Sequence, residues 1–581
     1  MFDARIRVSI ASHSLSATLG ERVSANTSKR KRSWRLIGAA LAVALLVGAC
    51  ASGDDDDDTT APPEGDDDTT EQPADEGEPT PGGTLRIGVE AETDGLNPTA
   101  NRFAVAGSWM GSAVFDTIAK FTPDGEVVPN LAESWESNDD YTQWTIKLRP
   151  NIKFHDGTPL TSEAIQVGVE MQKADPLIGI AVRPTVADPP VTIVDDLTAT
   201  INLSRSMPYF PGVMTTQLGM VASPTWLRAA AEDTALNQEP VGTGPFKYDS
   251  RSINSQTKFV KNPDYWREGL PYLDAVEFIV TTDAQVRQQN LKAGDLDIIH
   301  TNRDETVVDF REDDSIKMFE DEDGEETFLM MNTSAPPFDD LRVRQALAMS
   351  TDRDEYVELL GSGILTVANG MFHPDTRWYS ELDNFPAYDP AAAADLIAEY
   401  CGDVPAQCDG GKVKVSYKTT PTPDNDEVFQ LMSDFWGDIV SMEKTPVEQA
   451  QFITDAALGN YQIVLWRQFG AVDPDQDMLW LDSESIEAIS VNWPRIADPE
   501  IDEWLDQQRV ELDFDARKQL WTNIGEKLNE DLPYIWLNHT LWAVAANDNV
   551  DGLGQQTAPG GEEILPFNNG RAEITEAWLE Q

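Results

Sequence analysis

The sequence predicts an α/β fold built from more than one domain. At 581 residues the chain exceeds the length of an ordinary single domain. Trp144, Ile146 and Leu148 alternate with polar residues, and this period of two is typical of a half-buried strand. A helix is predicted soon afterwards, because Thr161 is a suitable N-cap and Glu163 falls in the first turn. Strand and helix signals of this kind recur to the end of the chain.

The chain begins with a predicted targeting segment, residues 1–49. A basic cluster at residues 29–35 precedes a short apolar core at residues 36–47, and small residues then precede Cys50. This order predicts a bacterial lipoprotein signal, in which Cys50 is lipidated and becomes the mature N-terminus. An ordinary signal peptide cleaved near Ala49 is the alternative.

Residues 50–81 are predicted to be the lipidated cysteine followed by an acidic, disordered tether. The segment has too few large apolar side chains to offset the entropy of ordering. Its run of aspartates at residues 54–58 lacks the spaced, glycine-turned ligands of a calcium loop. The whole chain carries 101 acidic and 43 basic residues, a net charge of −58. That balance argues against nucleic acid or an anionic membrane surface as a partner.

The folded part is predicted to contain further elements in a regular order. In its first half these are a strand at 84–89, a helix at 108–119, a strand at 199–203 and a glycine-rich crossover at 241–246. In its second half they are strands at 327–333, 413–418, 462–466 and 533–538, and helices after Asp339 or Asp340, from Pro390, at 427–440 and within 501–528. The glycine-rich segment lacks the Lys-Ser/Thr of a phosphate loop, so a structural turn is the interpretation.

Cys401 and Cys408 flank a short, turn-prone loop. Outside the cytoplasm such a pair predicts a disulfide. A zinc site is the weaker interpretation, because the two cysteines have no histidine near them in the sequence.

Catalytic motifs are not evident in the sequence. The five histidines, at 13, 155, 300, 373 and 539, belong to no metal-hydrolase pattern, and no G-x-S-x-G elbow occurs. We therefore expect a binding protein, not an enzyme, with no cofactor and no metal.

Four segments together resemble one known family. They are LAESWE with YTQWTIKLRPNIKFHDGTPLT (131–161), GGTLRIGV followed by LNP (82–98), VGTGPF (241–246) and FDDLRVRQAL (338–347). The chain closely resembles the extracytoplasmic oligopeptide-, dipeptide- and nickel-binding proteins of ABC importers over about residues 82–550. The resemblance implies a two-lobed periplasmic-binding-protein fold with hinge strands and an additional subdomain inserted in the N-terminal lobe.

The resemblance also implies domain boundaries. Lobe I is expected at 82–120, 238–327 and 536–581, the inserted subdomain at 121–237, and lobe II at 328–535.

In function, the resemblance implies the substrate-binding subunit of an ABC importer, which captures a peptide or peptide-like solute between its lobes. Its partners would be the solute, permease subunits with their ATPases, and the membrane through the lipid anchor alone. The protein is expected to be a monomer on the extracytoplasmic face of the cell membrane. Alternatives are another solute on the same fold (an oligosaccharide or metal chelate), a receptor that presents its ligand to a membrane kinase, and a secreted carbohydrate-active hydrolase.

The resemblance carries over a set of ligand-contacting residues. Glu92 and Thr93 match first-loop positions that touch the ligand backbone, and Trp536 and Asn538 are expected on the hinge side of the cleft. A second segment supplies three further candidates, Trp466, Arg467 and Gln468. Gly470 stands where the family usually has an aspartate that pairs with a peptide's free amine. Asp473 or Glu92 would have to replace that aspartate.

Overall fold

The computed structural model of this chain describes residues 78–580. The predicted signal segment, Cys50 and nearly all of the predicted tether lie outside these residues. Among the helices within residues 78–580, none combines the length and apolar character needed to cross a membrane.

Strands and helices alternate along the described chain, which confirms the α/β prediction. The strands are β1 (Thr84–Val89), β2 (Ala119–Phe121), β3 (Val127–Pro129), β4 (Ala132–Ser137), β5 (Gln143–Leu148), β6 (Val186–Asp195), β7 (Thr198–Leu203), β8 (Phe246–Ser252), β9 (Gln256–Lys261), β10 (Ala275–Val280), β11 (Ile298–Thr301), β12 (Ile316–Met331), β13 (Cys408–Asp409), β14 (Lys412–Thr419), β15 (Val440–Pro446), β16 (Ile463–Gln468), β17 (Tyr534–Asn547), β18 (Val550–Asp551), β19 (Phe567–Asn568), β20 (Arg571–Ala572) and β21 (Trp578–Leu579). The α-helices are α1 (Val105–Val114), α2 (Ser162–Ala174), α3 (Ile178–Val182), α4 (Phe210–Val213), α5 (Pro224–Glu232), α6 (Ala284–Lys292), α7 (Asp304–Arg311), α8 (Leu341–Met349), α9 (Arg353–Leu360), α10 (Pro390–Asp403), α11 (Pro423–Trp436), α12 (Gln449–Leu458), α13 (Pro499–Val510) and α14 (Phe514–Asp531).

One long mixed sheet runs through the described chain in the order β13-β14-β16-β12-β17-β11-β1-β10-β9-β8, with β15 also paired to β14. At one end β1 lies parallel to β10 and β11, and β11 is antiparallel to β17. At the other end β16 is antiparallel to β12 and parallel to β14. We call the half with β1 and β8–β11 lobe I, and the half with β13–β16 lobe II.

The two lobes share strands β12 and β17. Residues 316–321 of β12 pair with the end of β17, the part that also pairs with β11 of lobe I. Residues 327–331 of β12 pair with the start of β17 and with β16 of lobe II. The β12–β17 register shifts between Asp321 and Glu325 and again between Thr327 and Phe328. Such bulges bend a strand and increase its local twist, so the lobes meet at a two-stranded hinge.

Each lobe has its own hydrophobic core. In lobe I, Ile87 of β1, Trp109 of α1 and Phe278 of β10 are fully buried in one core cluster. In lobe II, one core lies under α8, α10 and α11, and a second brings Leu505 and Trp521 of α13 and α14 against the sheet. Separate cores let the lobes move as bodies about the strands that join them.

The segment between α1 and β8 forms a third unit around its own antiparallel sheet, in the order β4-β5-β7-β6. The alternation predicted for β5 is present: Trp144, Ile146 and Leu148 are buried against Ala164 and Ile165 of α2. This is the inserted subdomain, and the predicted two-lobed fold with hinge strands and a subdomain is thereby confirmed.

Helix α1 departs from its predicted span of 108–119, since it ends at Val114. The amide of Gly244 donates to the Val114 carbonyl at 2.8 Å. A Cβ at Gly242 would lie only 2.1 Å from the same oxygen. The glycine-rich crossover therefore occupies the end of the helix, and a side chain has no room at that position.

Three other local predictions need correction. The helix predicted at 427–440 is α11, which lies earlier in the sequence because β15 begins at Val440. The helical region predicted at 501–528 is two helices, α13 and α14. Thr161 does precede α2, but its side chain makes no capping hydrogen bond.

Cys401, in the last turn of α10, is joined to Cys408 of β13 by a disulfide whose Cα atoms are 5.7 Å apart. The bond ties the end of α10 to the edge of the lobe II sheet.

Candidate functional site

The inserted subdomain touches lobe II across the space between the lobes. Tyr209 Oη donates to the carbonyl of Glu511 at 2.5 Å, beyond the end of α13. Arg205 lies 3.4 Å from the carboxylate of Asp506 on that helix. These contacts join the subdomain to lobe II.

Arg517 of α14 lies at the centre of this contact. Its Nη1 and Nη2 donate to the two carboxylate oxygens of Asp473 at 2.8 and 2.6 Å. Its guanidinium carbon lies 3.5 Å from the ring centre of Tyr209 and 4.9 Å from that of Trp378. We call Asp473, Arg517, Tyr209 and Trp378 the Arg517 stack. Only arginine combines a planar fork for a carboxylate with a flat face for aromatic rings.

The Arg517 stack changes the interpretation of Asp473. Burial alone would lower the pKa of Arg517, but the hydrogen-bonded pair with Asp473 raises it. One Asp473 oxygen also accepts from the amide of Asp475 at 2.9 Å. Asp473 thus has a structural partner in Arg517, which it holds against the subdomain, and its contact with a ligand amine stays a prediction.

Gly470 lies at the hinge in close contact with lobe I. Its carbonyl accepts from Asn569 Nδ2 at 3.1 Å. A Cβ at this position would lie 2.7 Å from that nitrogen and 2.9 Å from the carbonyl oxygen of Gly324. The glycine therefore permits the close approach of Asn569 and of the Gly324 backbone, and an aspartate here would force that backbone to shift.

One buried and three half-buried aromatic rings form a row on lobe II. The ring centres of Phe452 and Trp466 are 5.3 Å apart, those of Trp466 and Trp493 are 4.8 Å apart, and those of Trp493 and Trp480 are 6.0 Å apart. Trp466 donates to Gln468 Oε1 at 3.1 Å. Within the described chain, Gln468 Nε2 and Trp493 Nε1 are buried donors without an acceptor. The row and the adjoining Gln468 thus combine flat apolar faces with two unsatisfied N–H groups. Trp466, in the row, and Gln468, beside it, are both predicted site residues.

Arg467 is the most accessible of the predicted residues on β16. Its guanidinium carbon lies 5.2 Å from the ring centre of Trp542, and Nη1 lies 3.9 Å from Glu325 Oε2. Trp542 Nε1 donates to the same carboxylate at 3.2 Å. A guanidinium at this hinge position can bind a ligand carboxylate.

Glu92 and Thr93 lie in the loop after β1, where both contact Arg251 of β8. Arg251 Nη2 donates to Glu92 Oε1 and to the Thr93 carbonyl, each at 2.7 Å. The Thr93 hydroxyl donates to Gly95. Both predicted residues have partners within lobe I, and a ligand contact for them stays a prediction.

Trp536 and Asn538 are both buried on β17, with Trp536 in a core cluster of lobe II, and a ligand contact for them stays a prediction. Trp536 is fully buried, and its Nε1 donates to Asn529 at 2.9 Å. Asn538 is 3% exposed and donates to the carbonyl of His539. Nearly every residue of β17 is buried, so both side chains have little exposed surface.

Asp477, which sequence reasoning missed, is a buried acid between Gly470 and the aromatic row. One oxygen accepts from the amide of Ala471 and the other from Trp480 Nε1, both at 3.2 Å. Burial raises the pKa of Asp477 to about 7, and the negative charges of Asp473 and Glu325 act in the same direction. No sequence pattern marks this residue, because its environment depends on the packing of the loop.

We expect Asp477 to make the protein less stable as the pH rises from about 4 to about 7. In this window the folded carboxyl keeps a proton that the unfolded chain, with an ordinary pKa of 3.8, has lost. As the pH rises through this window, the protonated carboxyl contributes progressively less to the free energy of unfolding. The total loss is at most about 4 kcal/mol for a pKa shift of this size. Urea unfolding across this range should show the effect in the wild type and lose it in Asp477→Asn, with exposed Asp383→Asn as the control. A wild-type slope retained in Asp477→Asn would contradict the assignment.

Two lobes joined by a pair of shared strands, and closed over a cleft by a subdomain, define the class of two-lobed solute-binding proteins. Residues 126–487 match the sequence model of the bacterial extracellular solute-binding proteins, family 5 Middle. The chain belongs to this family of extracellular solute-binding proteins.

The chain is similar to curated relatives over half or more of its length and to solved structures over most of its length. The chain is 25% identical over 512 residues to di/tripeptide-binding protein 2 of Pseudomonas aeruginosa, covering 81% of this chain and 92% of that protein. It is 28% identical over 291 residues to the glutathione-binding protein GsiB of Pectobacterium atrosepticum, covering 50% and 56%. In fold it is similar to Helicobacter pylori DppA in complex with the peptide STSA (TM-score 0.75, 19% identity, 86% of this chain and 99% of that one). It is likewise similar to Bacillus subtilis AppA in complex with a nonapeptide (TM-score 0.74, 20% identity, 87% and 100%).

Proposed function

We propose that this protein is the extracellular binding subunit of an ABC importer and that it captures a peptide or peptide-like solute between its lobes. The closed form would deliver the solute to a membrane permease, whose ATPase partners supply the energy. Binding without chemical change is the proposed role.

The observation that supports this role best is the pairing of a two-stranded hinge with a closing contact. The β12–β17 pairing is irregular where the lobes meet, and the Arg517 stack joins the subdomain to lobe II. A ligand that contacts both lobes stabilises the closed arrangement over the open one.

A peptide is the favoured solute. Relatives are named for di- and tripeptides and for glutathione, and extended peptides are held chiefly through their main-chain groups. The unsatisfied donors of Gln468 and Trp493 would suit the carbonyl oxygens of such a chain. Gly470, however, stands at the position where the resemblance implies an aspartate that binds the free amine of a peptide. We therefore propose that recognition does not require a free amino terminus.

An oligosaccharide is the second candidate, and the aromatic row favours it. The faces of Trp466, Trp480 and Trp493 would stack on sugar rings, and the two unsatisfied donors would suit hydroxyl oxygens as well as carbonyls. Either solute would close the same hinge. Closure therefore does not distinguish the two candidates, and the identity of the bound ligand does.

Small-angle X-ray scattering of the Cys50→Ala protein tests the proposed role. Adding a mixture of tripeptides should reduce the radius of gyration, and the peptides should be recovered unchanged afterwards. If only an oligosaccharide mixture caused closure, the proposed solute would be an oligosaccharide and not a peptide. Hydrolysis of the peptides during the incubation would contradict the proposed binding role and indicate an enzyme.

The proposed location is the outer face of the cell membrane, with a monomer held by a lipid on Cys50. Cys50→Ala is expected to move the protein from the membrane fraction to the soluble fraction, because the lipid is the proposed attachment. Immunoblots of fractionated cells measure this, with Cys401→Ala/Cys408→Ala as a control that alters cysteines but not the anchor. Continued membrane retention of Cys50→Ala would reject the lipoprotein signal.

A further inference from the structure

A cavity of about 210 Å³ lies within the inserted subdomain, beneath a loop of lobe II. Its walls are largely apolar and include Val182, Ile201, Phe210, Val213 and Met214. A cavity of roughly 150 Å³ with walls of this kind stays dry and accepts benzene. The present cavity therefore has room for a side chain the size of leucine or phenylalanine.

The lobe II end of the cavity is polar, and its polar groups are incompletely bonded. Asp475, which is 2% exposed, accepts through Oδ1 from Gln508 at 2.7 Å and from Arg509 Nε at 3.0 Å. Within residues 78–580, Asp475 Oδ2 and Gln476 Nε2 are buried and have no hydrogen-bond partner. Since buried polar atoms are nearly always bonded, one free acceptor and one free donor here indicate a missing partner.

The other uncharged polar side chains in the walls are already bonded inside the subdomain. Gln172 donates to the carbonyl of Leu218, Thr185 to that of Ala181, and Thr216 to that of Val213. The unsatisfied groups are therefore confined to the part of the wall that lobe II contributes, and they meet the apolar part only when the lobes are closed.

The charge of the site limits the chemistry of its occupant. Asp475 already has a counter-charge in Arg509, which is 3.0 Å away and also buried. A second cation would leave an unbalanced charge, which is costly in such surroundings. A neutral group with one N–H donor and one carbonyl acceptor satisfies both free atoms, and a peptide unit is such a group.

We propose that this cavity receives an apolar side chain of the transported peptide, while a peptide unit of the same ligand donates to Asp475 Oδ2 and accepts from Gln476 Nε2. This proposal rests on the proposed function and makes it more specific. Because the apolar walls belong to the subdomain and the polar atoms to lobe II, an apolar residue at that point of the ligand would favour closure.

Titration calorimetry of the mature protein tests the proposal with trialanine and the three tripeptides in which one alanine is replaced by leucine. We expect the wild type to bind at least one leucine peptide about tenfold more tightly than trialanine, the usual gain from filling an apolar pocket. Val213→Trp, which fills the cavity, should remove this preference, so that no leucine peptide binds more tightly than trialanine. Val194→Trp, at an exposed position of the same subdomain, is the matched control.

A second variant addresses the polar end independently. Gln476→Leu removes the free donor without breaking a hydrogen bond described within the protein, and it should weaken every peptide by about tenfold. Exposed Gln555→Leu is its control and should bind as the wild type does.

The outcomes separate the two proposals. A leucine preference that survives in Val213→Trp, or unchanged binding by Gln476→Leu, overturns the cavity assignment and leaves peptide transport standing. If the wild type binds none of the four peptides but closes on another solute, the proposed function fails and the cavity assignment fails with it.

Discussion

Arg517→Ala should destabilise lobe II by about 3–5 kcal/mol, the usual effect of removing one partner of a buried ion pair. The change leaves the Asp473 carboxylate, whose side chain is 16% exposed, without its bidentate partner. It also removes the guanidinium plane that packs on Tyr209, so the closed form loses one of its contacts with the subdomain. Urea unfolding measures the stability, and calorimetry with the bound solute measures the loss of affinity.

Two companion variants separate charge from stacking. Arg517→Lys keeps a cation but loses the fork and the flat face, and it should recover only part of the stability. Tyr209→Ala leaves the Asp473–Arg517 pair intact, so it should lower solute affinity with little effect on the unfolding of lobe II. An Arg517→Ala protein as stable as the wild type would mean that the ion pair contributes nothing to the lobe.

Gly470→Asp, which introduces the aspartate that the resemblance leads one to expect at this position, should reduce solute affinity by about 100-fold, or roughly 2.7 kcal/mol. The physical reason is space: a Cβ here would lie 2.7 Å from Asn569 Nδ2 and 2.9 Å from the carbonyl oxygen of Gly324. The backbone of Gly324 cannot move away without distorting the hinge. Comparing peptides with and without an acetylated amine measures both the affinity and the need for a free amine.

Gly168→Ala is the matched control for a substituted glycine. A Cβ at Gly168, within α2, would meet no atom within 4 Å, so the change should stabilise the protein slightly. If Gly470→Asp instead bound free-amine peptides more tightly than the wild type, the close contact at the hinge would not constrain the ligand site.

Local patterns predicted the regular parts of the fold. The alternation of Trp144, Ile146 and Leu148 reports which face of β5 is buried, because strand periodicity and burial are directly linked. Likewise, Asp389 before Pro390 marks the start of α10, and the Asp389 side chain caps that helix. Such signals lie within a few residues of one another, so one sequence suffices to find them.

The hinge could not be found in the same way. The sequence of β12 from 316 to 331, IKMFEDEDGEETFLMM, is rich in acids that have a low tendency to form strands. It is a strand because β17 and β16 pair with it on both sides. Glu326 in its middle is fully buried beside His539, at 3.1 Å, and burial raises the pKa of this carboxyl. Only the three-dimensional pairing reveals this arrangement.

The candidate site was predicted in part, for a related reason. Trp466, Arg467 and Gln468 do lie together at the end of β16, because they are neighbours in sequence. Asp473 could be singled out as a charged loop residue. Its partner Arg517, 44 residues further along the chain, could not be. Long-range ion pairs decide which acids remain for a ligand, and they are not visible in one sequence.

Native mass spectrometry of the mature Cys50→Ala protein, purified without denaturant, tests most directly whether the cleft carries peptides. The account predicts a protein that retains one non-covalent ligand, released on activation as peptides of mixed sequence, with apolar residues over-represented at one position. Release of a single sugar or metal chelate, with no peptide retained after incubation with a tripeptide mixture, would contradict it.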